Sequence, residues 1–321
     1  MGIRNLNRYL SDNCSENSIS KTRLNQFQGK TIVIDTSIYM YKFMSQNALL
    51  EYMYSLITIL YEYKINPIFI FDGKSPPEKK ELLKQRSRCK KDAEHKFNEL
   101  KQELLAPYIA DNSRYEIISE MESLKKKFVR LRDEDIAKVK SLMESLGAIY
   151  CDADGESDKL CALMVKCDIA WACLSDDMDM FVYGCTRVMR HFSLLKHTVI
   201  LYDLDEILTE LSLTLNAFRK ITILSGTDYN IHNTISLKET ISYYKEFQCL
   251  CKNDDEFYNW LESNVNCSNY NIESLNKINH MFDIDDIDVG IINSKHKIIQ
   301  RKKSNTDLMK KILKEDGFVF I

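Results

Sequence analysis

The sequence predicts a mixed α/β fold, with a mainly parallel, twisted sheet flanked by helices, a charged helical protrusion and a helical C-terminal region. Three observations predict it. Apolar runs at Thr31-Ile-Val-Ile-Asp35, Pro67-Ile-Phe-Ile-Phe71, Ala148-Ile-Tyr-Cys151 and Ala170-Trp-Ala-Cys-Leu174 are separated by helical stretches, the pattern of βαβ units with a buried parallel sheet. Each run empties into carboxylates, and in open α/β sheets the cleft outside the carboxyl ends of the strands is where ligands bind. Between Lys79 and Arg132, fifteen Lys and Arg stand against nine Asp and Glu in a chain of net charge −3, so a basic segment is set inside an acidic protein.

Taken in order, residues 3–28 are polar with scattered apolar positions and predict a short helix and a loop. Thr31–Asp35 is the first strand. Ser37–Lys64 is long, apolar and aromatic-rich and predicts one core helix, with Tyr41 a helical turn beyond Ser37, either a core aromatic or a residue bordering the cleft. The second strand ends at Asp72, with Gly73-Lys-Ser-Pro-Pro77 as turn punctuation. Strand, crossover helix and strand form a βαβ unit, which sets Asp35 and Asp72 on one rim. Glu78–Leu105 and Glu116–Arg132 predict two polar helices joined by a loop. The first carries Lys79, Lys80, Lys84, Arg86, Arg88, Lys90 and Lys91; the second carries Lys125, Lys126, Lys127, Arg130 and Arg132. A long polar helix is usually a solvated face, but cations this near a candidate metal ligand suit a polyanion. Glu134–Leu146 is amphipathic and stops at Gly147. Arg187–Arg190 and Thr198–Tyr202 read as short strands, and Asp205–Leu211 and Asn216–Leu224 as helices. Beyond Ile231 the composition shifts to Asn, Lys and Tyr with helical patches.

The densest chemistry lies in Cys151-Asp-Ala-Asp-Gly-Glu-Ser-Asp158 and Leu174-Ser-Asp-Asp-Met-Asp-Met180. Asp177 and Asp179, two apart, share a side if the chain past the strand is extended. Glu156 and Asp158 suit a loop-to-helix junction. One Asp at a strand end is an ordinary turn former or helix cap; two paired clusters repel each other unless a cation joins them. Asp228, in Ser225-Gly-Thr-Asp-Tyr229, is a seventh candidate. All-oxygen ligands favour Mg²⁺ or Mn²⁺ over Zn²⁺, and Cys249-Leu-Cys251 is a lone pair to which no zinc is assigned. No signal peptide or myristoylation pattern opens the sequence, and the most apolar window, residues 49–71, is interrupted by Glu51, Glu62, Lys64 and Pro67. Ten cysteines without a secretory signal are expected to be reduced thiols of an intracellular protein.

Together these residues resemble the flap endonuclease/XPG family of structure-specific 5′ nucleases. The blocks that carry the resemblance are Met1-Gly-Ile, Val33-Ile-Asp35 with Tyr41-Lys-Phe43, and Phe71-Asp-Gly-Lys-Ser-Pro-Pro77. Further on are Leu146-Gly-Ala-Ile-Tyr with Asp154-Gly-Glu-Ser-Asp158, Ser175-Asp-Asp-Met-Asp179, Met189-Arg-His191 and Leu224-Ser-Gly-Thr-Asp228. They follow family order over roughly residues 1–230. The resemblance implies a PIN-like 5′ nuclease core with a helical arch. Its expected parts are an N-terminal nuclease region (1–105), the second half of the arch (106–132), an internal nuclease region (133–230) and a helical C-terminal region (231–321). It implies that Asp35, Asp72, Glu156, Asp158, Asp177, Asp179 and Asp228 hold two Mg²⁺, with Mn²⁺ able to substitute. Lys79 and Arg86 then reach the scissile phosphate, Tyr41 stacks on a base, and Gly2, Lys125, Lys126, Lys127 and Arg130 touch DNA. The expected activity is 5′ flap endonuclease and 5′–3′ exonuclease action on branched DNA in replication, repair or recombination, by a monomer in the nucleus or another site of replication. The chain departs from the family pattern in four places. Asp158 stands for a longer Glu, and the arch has its own sequence. Tyr229-Asn-Ile-His-Asn-Thr-Ile-Ser-Leu237 lacks the glycines that grip duplex backbone, and no recognisable sliding-clamp-binding tail closes the chain. RNA or a hybrid is the alternative substrate, and a DNA-structure-binding protein without turnover is the alternative class.

Overall fold

The computed structural model describes residues 3–105, 111–230, 235–250, 253–265, 271–284 and 303–319. Its centre is a seven-stranded sheet of order β1-β7-β6-β5-β2-β3-β4, formed by β1 (Ile19–Arg23), β2 (Thr31–Asp35), β3 (Asn66–Phe71), β4 (Ile149–Asp152), β5 (Ala172–Leu174), β6 (Arg187–Ser193) and β7 (Thr198–Asp203). β4, β3, β2, β5 and β6 run parallel, while β7 is antiparallel to both β6 and β1. The expected mainly parallel sheet is therefore present, with an antiparallel edge. Successive side chains of a strand face opposite ways, and β2 and β3 show it: Val33, Ile68 and Ile70 enter one core, Ile32, Ile34, Phe69 and Phe71 the other.

The helices are α1 (Leu6–Asn13), α2 (Thr36–Met44), α3 (Leu49–Glu62), α4 (Lys80–Glu103), α5 (Asp111–Lys127), α6 (Asp133–Leu146), α7 (Ser157–Lys166), α8 (Asp179–Val182), α9 (Leu204–Leu211), α10 (Leu215–Leu224), α11 (Leu237–Leu250), α12 (Phe257–Asn264), α13 (Ile272–Phe282) and α14 (Thr306–Glu315). α2, α3, α6 and α14 cover one face of the sheet; α1 and α7–α13 share the core on the other. Both faces are thus covered, as a parallel sheet requires. Each Leu, Ile or Phe buried there contributes on the order of 1.5–3 kcal/mol.

Four expectations are corrected. The single helix over 37–64 is two, α2 and α3. The Ser45 hydroxyl donates to the Lys42 carbonyl at 2.6 Å and Asn47 turns at φ 55°, a left-handed step that Asn tolerates better than most residues. The stretch 3–28 holds a strand besides its helix. β1 is an edge strand on which only Thr22 is buried, so it shows no apolar run. α5 begins at Asp111 and ends at Lys127, earlier at both ends than the expected 116–132. Lys79 closes a short 3₁₀ turn (Pro77–Lys79) ahead of α4, instead of lying on the same helix as Arg86. Among the described residues, no helix is long and apolar enough to cross a membrane.

Candidate active site

The carboxyl ends of β2, β3 and β5 open on one rim, and local chemistry sets the acids there. Asp35 is the last residue of β2 and is buried. Asp72 follows β3. A Cβ at the adjacent Gly73 would lie 2.1 Å from the Ala153 carbonyl oxygen, so only glycine lets this turn press against the 153–155 loop. The Gly73 N–H donates to the Gly155 carbonyl at 2.7 Å and fixes that approach. The contact brings Asp72 beneath α7, whose Ser157 N–H donates to Asp72 Oδ1 at 2.8 Å. The Ser157 hydroxyl lies 2.8 Å from the same oxygen and 2.9 Å from Asp35 Oδ1, its one proton shared between two carboxylates. Ser175 donates to the other oxygen of Asp35 at 3.0 Å. Glu156 is the residue before α7 and Asp158 sits in its first turn, the junction expected from their spacing.

Asp177 and Asp179 are not on extended chain. The Asp179 N–H donates to Asp177 Oδ1 at 3.1 Å, and Asp179 opens the short helix α8. Asp and Asn take up such backbone bonds two residues on, which converts the pair into a turn. Asp179 Oδ1 is buried and has no hydrogen-bond partner. Burial, first, and the neighbouring acids raise the proton affinities of Asp158 and Asp179, and Asp35 is pushed up to about 7 by burial and then by Asp72.

Cations complete the rim. Lys79, 6% exposed, places Nζ 2.7 Å from Glu156 Oε1 and 3.8 Å from Asp228 Oδ2. Arg86 donates to Asp228 Oδ2 at 2.7 Å. Burial opposes the Lys79 charge, but Tyr229 and Glu156 outweigh it and its proton is held more tightly than usual. Among the described residues, no three Asp, Glu, His or Cys side chains stand close enough together to ligate an ion as they are. Ser157 bridges Asp35 and Asp72, and Lys79 bridges Glu156 and Asp228. The donor set is nonetheless carboxylate oxygen throughout, and the orphaned Asp179 Oδ1 is an acceptor aimed at nothing, so these residues fit a hard cation.

Above the rim, α4 and α5 pack as a helical hairpin. Phe97 and Phe128 meet edge to face at 5.4 Å, and Arg130 pairs with Glu94 at 2.7 Å and Lys96 with Glu120. Beneath it lies a cleft of about 600 Å³ lined by Tyr41, Arg86, Lys90, Lys126, Lys127 and Arg130 among others. Tyr41 is 41% exposed, not a core aromatic, and Lys90 Nζ sits 5.1 Å from its ring centre. Lys125 is exposed and outside that lining. Gly2 and residues 231–234 of the turn after Asp228 lie outside the described residues. In the described part, Asn230 closes the turn that begins at Thr227. Its side-chain oxygen accepts from the Thr227 N–H at 2.7 Å and hydroxyl at 2.6 Å, and its amide donates to the Ile223 carbonyl at 2.6 Å.

Ser157, Ser175 and Tyr229 have no signal of their own in the sequence, and Lys90 stands there only as one of seven cations in the first half of the first charged helix. The two serines stand inside the quoted acidic blocks but carry no charge to flag them. Tyr229 directly follows Asp228.

This architecture, a covered parallel sheet with acids on its carboxyl rim beneath a basic helical hairpin, defines a PIN-like nuclease core. Residues 1–93 match the XPG N-terminal domain and residues 147–228 the XPG I-region. The chain belongs to the flap endonuclease/XPG family. It is 30% identical over 248 residues to flap endonuclease 1-A of Sorghum bicolor, covering 71% of this chain and 62% of that one. It is likewise 30% identical over 251 residues to flap endonuclease 1 of Leishmania braziliensis, covering 71% and 60%. The chain thus spans about 60% of the length of the curated relatives it matches. The catalytic core of Rad2 in complex with DNA substrate shares the fold with a TM-score of 0.64 at 20% identity, covering 99% of this chain and 96% of that one. Human GEN1 in complex with Holliday junction DNA does so at 0.66 and 18%, covering 98% and 73%.

Proposed function

We propose that this chain is a Mg²⁺-dependent, structure-specific 5′ nuclease that hydrolyses phosphodiester bonds of flapped or branched DNA. The observation that carries the reading is the convergence of seven acids with Lys79 and Arg86 on one rim, directly below a cationic cleft. Of the structural neighbours, Rad2 is seen with DNA substrate and GEN1 with product DNA and a Mg²⁺ ion, which supports nucleic acid and metal for the same architecture here.

Asp35, Asp72, Glu156, Asp158, Asp177, Asp179 and Asp228 would hold two Mg²⁺, or Mn²⁺ in their place. When bound, the ions supply positive charge to the attacking and departing oxygens of an in-line displacement and lower the pKa of water. The chain's own residues do the rest. Ser157 and Ser175 fix the rotamers of Asp35 and Asp72, so the acids are oriented before substrate arrives. Lys79 and Arg86, which pair with Glu156 and Asp228 at the rim, would serve the scissile phosphate as donors for charge that grows in the transition state. Lys90, Lys126, Lys127 and Arg130 neutralise backbone phosphates of the single strand without reading sequence. Tyr41, whose ring borders that cleft, offers a stacking face to a base. The chain acts as a monomer, leaving a 5′-phosphate and a 3′-hydroxyl.

The test is incubation of a 5′-flap duplex with the full chain, in Mg²⁺ and in chelator. The reading expects a 5′-phosphorylated product near the flap junction only in Mg²⁺. Tight, selective flap binding with no cleavage in either Mg²⁺ or Mn²⁺ would instead identify a DNA-structure-binding protein.

A further inference from the structure

We infer that Tyr229 is a positioning residue of the catalytic rim, and that Phe282 of α13 buttresses it, so that the C-terminal helical region sets the rate of a reaction it need not touch. The inference rests on the proposed metal and phosphate roles of Glu156 and Lys79.

Tyr229 meets both partners at once. Its hydroxyl donates to Glu156 Oε2 at 2.8 Å, while Lys79 Nζ takes Glu156 Oε1 at 2.7 Å. The two oxygens of one carboxylate are thus held by two different groups, which fixes the plane of the carboxylate as well as its location. Lys79 Nζ also stands 4.7 Å from the centre of the Tyr229 ring, so the ammonium has carboxylates on one flank and an aromatic face on another. A long lysine side chain ordinarily samples many rotamers. Between the ring and Glu156 it is confined to one, with its charge kept at the rim.

Tyr229 is itself held from behind. Its hydroxyl oxygen lies 3.3 Å from that of buried Tyr183. Phe282, the last residue of α13, is fully buried and stands against both rings, 5.3 Å from Tyr229 edge to face and 4.8 Å from Tyr183. Edge-to-face rings at this separation favour one orientation. α13 packs on α10, the helix that leads into Asp228. A hydrophobic side chain of the C-terminal region therefore reaches the back wall of the site, though the acids themselves all precede residue 230.

Loss of the Tyr229 contacts should lower rate and leave flap affinity in place. Tyr229→Phe keeps the ring and removes the hydroxyl; Tyr229→Leu removes both; Phe282→Leu leaves Tyr229 intact but unsupported. Single-turnover cleavage of a 5′-flap duplex, flap affinity in Ca²⁺ and Mn²⁺ affinity by titration are measured on each full chain, with a melting curve to show that it is folded. Tyr229→Phe is expected to lower the rate about tenfold, the size of one hydrogen bond to a charged group, and to weaken Mn²⁺ binding, with flap affinity within twofold. Tyr229→Leu should lose substantially more, and Phe282→Leu a few-fold, again in rate and Mn²⁺ affinity only. Folded Tyr229→Phe and Phe282→Leu chains with unchanged rate and Mn²⁺ affinity would overturn the inference. So would a loss of flap affinity that matches the loss of rate. If the wild-type chain cleaves no flap at all, the nuclease reading fails separately, and Mn²⁺ affinity alone decides the role of Tyr229.

Discussion

The acidic rim and the basic hairpin above it carry opposite charge and are built by opposite means. The acids are anchored mostly at strand ends and helix starts: Asp35, Asp177 and Asp179 are buried, and serine hydroxyls or backbone N–H groups hold Asp35, Asp72 and Asp177 in place. The cations of α4 and α5 are mostly exposed, and the hairpin is tied together by surface ion pairs such as Arg130–Glu94 and Lys96–Glu120, which contribute little individually. A site for metal needs fixed oxygens, whereas a grip on a flexible single strand needs only charge at roughly the right height. Lys79 and Arg86 sit where the two regions meet and belong functionally to the rim.

Loss of a rim carboxylate has the largest expected effect. Asp179→Ala is expected to lower single-turnover cleavage at least about a hundredfold, as loss of a group acting in the transition state should, with flap affinity nearly unchanged. Affinity falling in parallel would mean that the rim binds DNA instead of metal. Next come Lys79→Ala and Arg86→Ala, each expected to cost roughly ten- to a hundredfold in rate, comparable to removing one preorganised donor. Near-wild-type rates would return both residues to a solvated surface.

The hairpin should respond in the other currency. Changing Lys126, Lys127 and Arg130 together to Ala is expected to weaken flap binding and reduce the slope of log affinity against log salt by about two to three, one unit per lost phosphate contact. Changing Lys125 alone should do less, because it lies outside the cleft. An unchanged salt slope would place the single strand elsewhere.

The smallest effect sharpens the view of the rim as a strained cluster. Because the Asp35 carboxyl is raised to about 7 in the folded chain by burial and by Asp72, the folded state binds its proton more tightly than the unfolded state. Stability from this group is full below the unfolded carboxylate range and is lost as pH rises from about 4 through 7. Metal-free wild type should therefore lose melting temperature relative to Asp35→Asn across that window, and Mg²⁺ at pH 8 should restore it. Equal pH profiles for the two chains would remove the linkage.

The strands and their acids were legible because both signals are local: an apolar run of the right length, then a carboxylate. The partners that make those acids a site were not. Ser157 acts only because Gly73 lets the Asp72 turn close on the 153–155 loop, a contact between segments more than eighty residues apart. β1 was hidden because an edge strand buries one residue, Thr22. The break between α2 and α3 turns on the conformation of Asn47, in a stretch whose periodicity reads straight through. Phe282 looks like any core aromatic until the fold brings it against Tyr229.

The most direct test of the central claim counts ions. The full wild-type chain and Asp179→Ala are titrated with Mn²⁺, and free ion is followed by electron paramagnetic resonance, with no cleavage required. The account predicts two ions per wild-type chain at millimolar Mn²⁺ and the loss of at least one in the variant. No binding to wild type, or the same count in both chains, would contradict it.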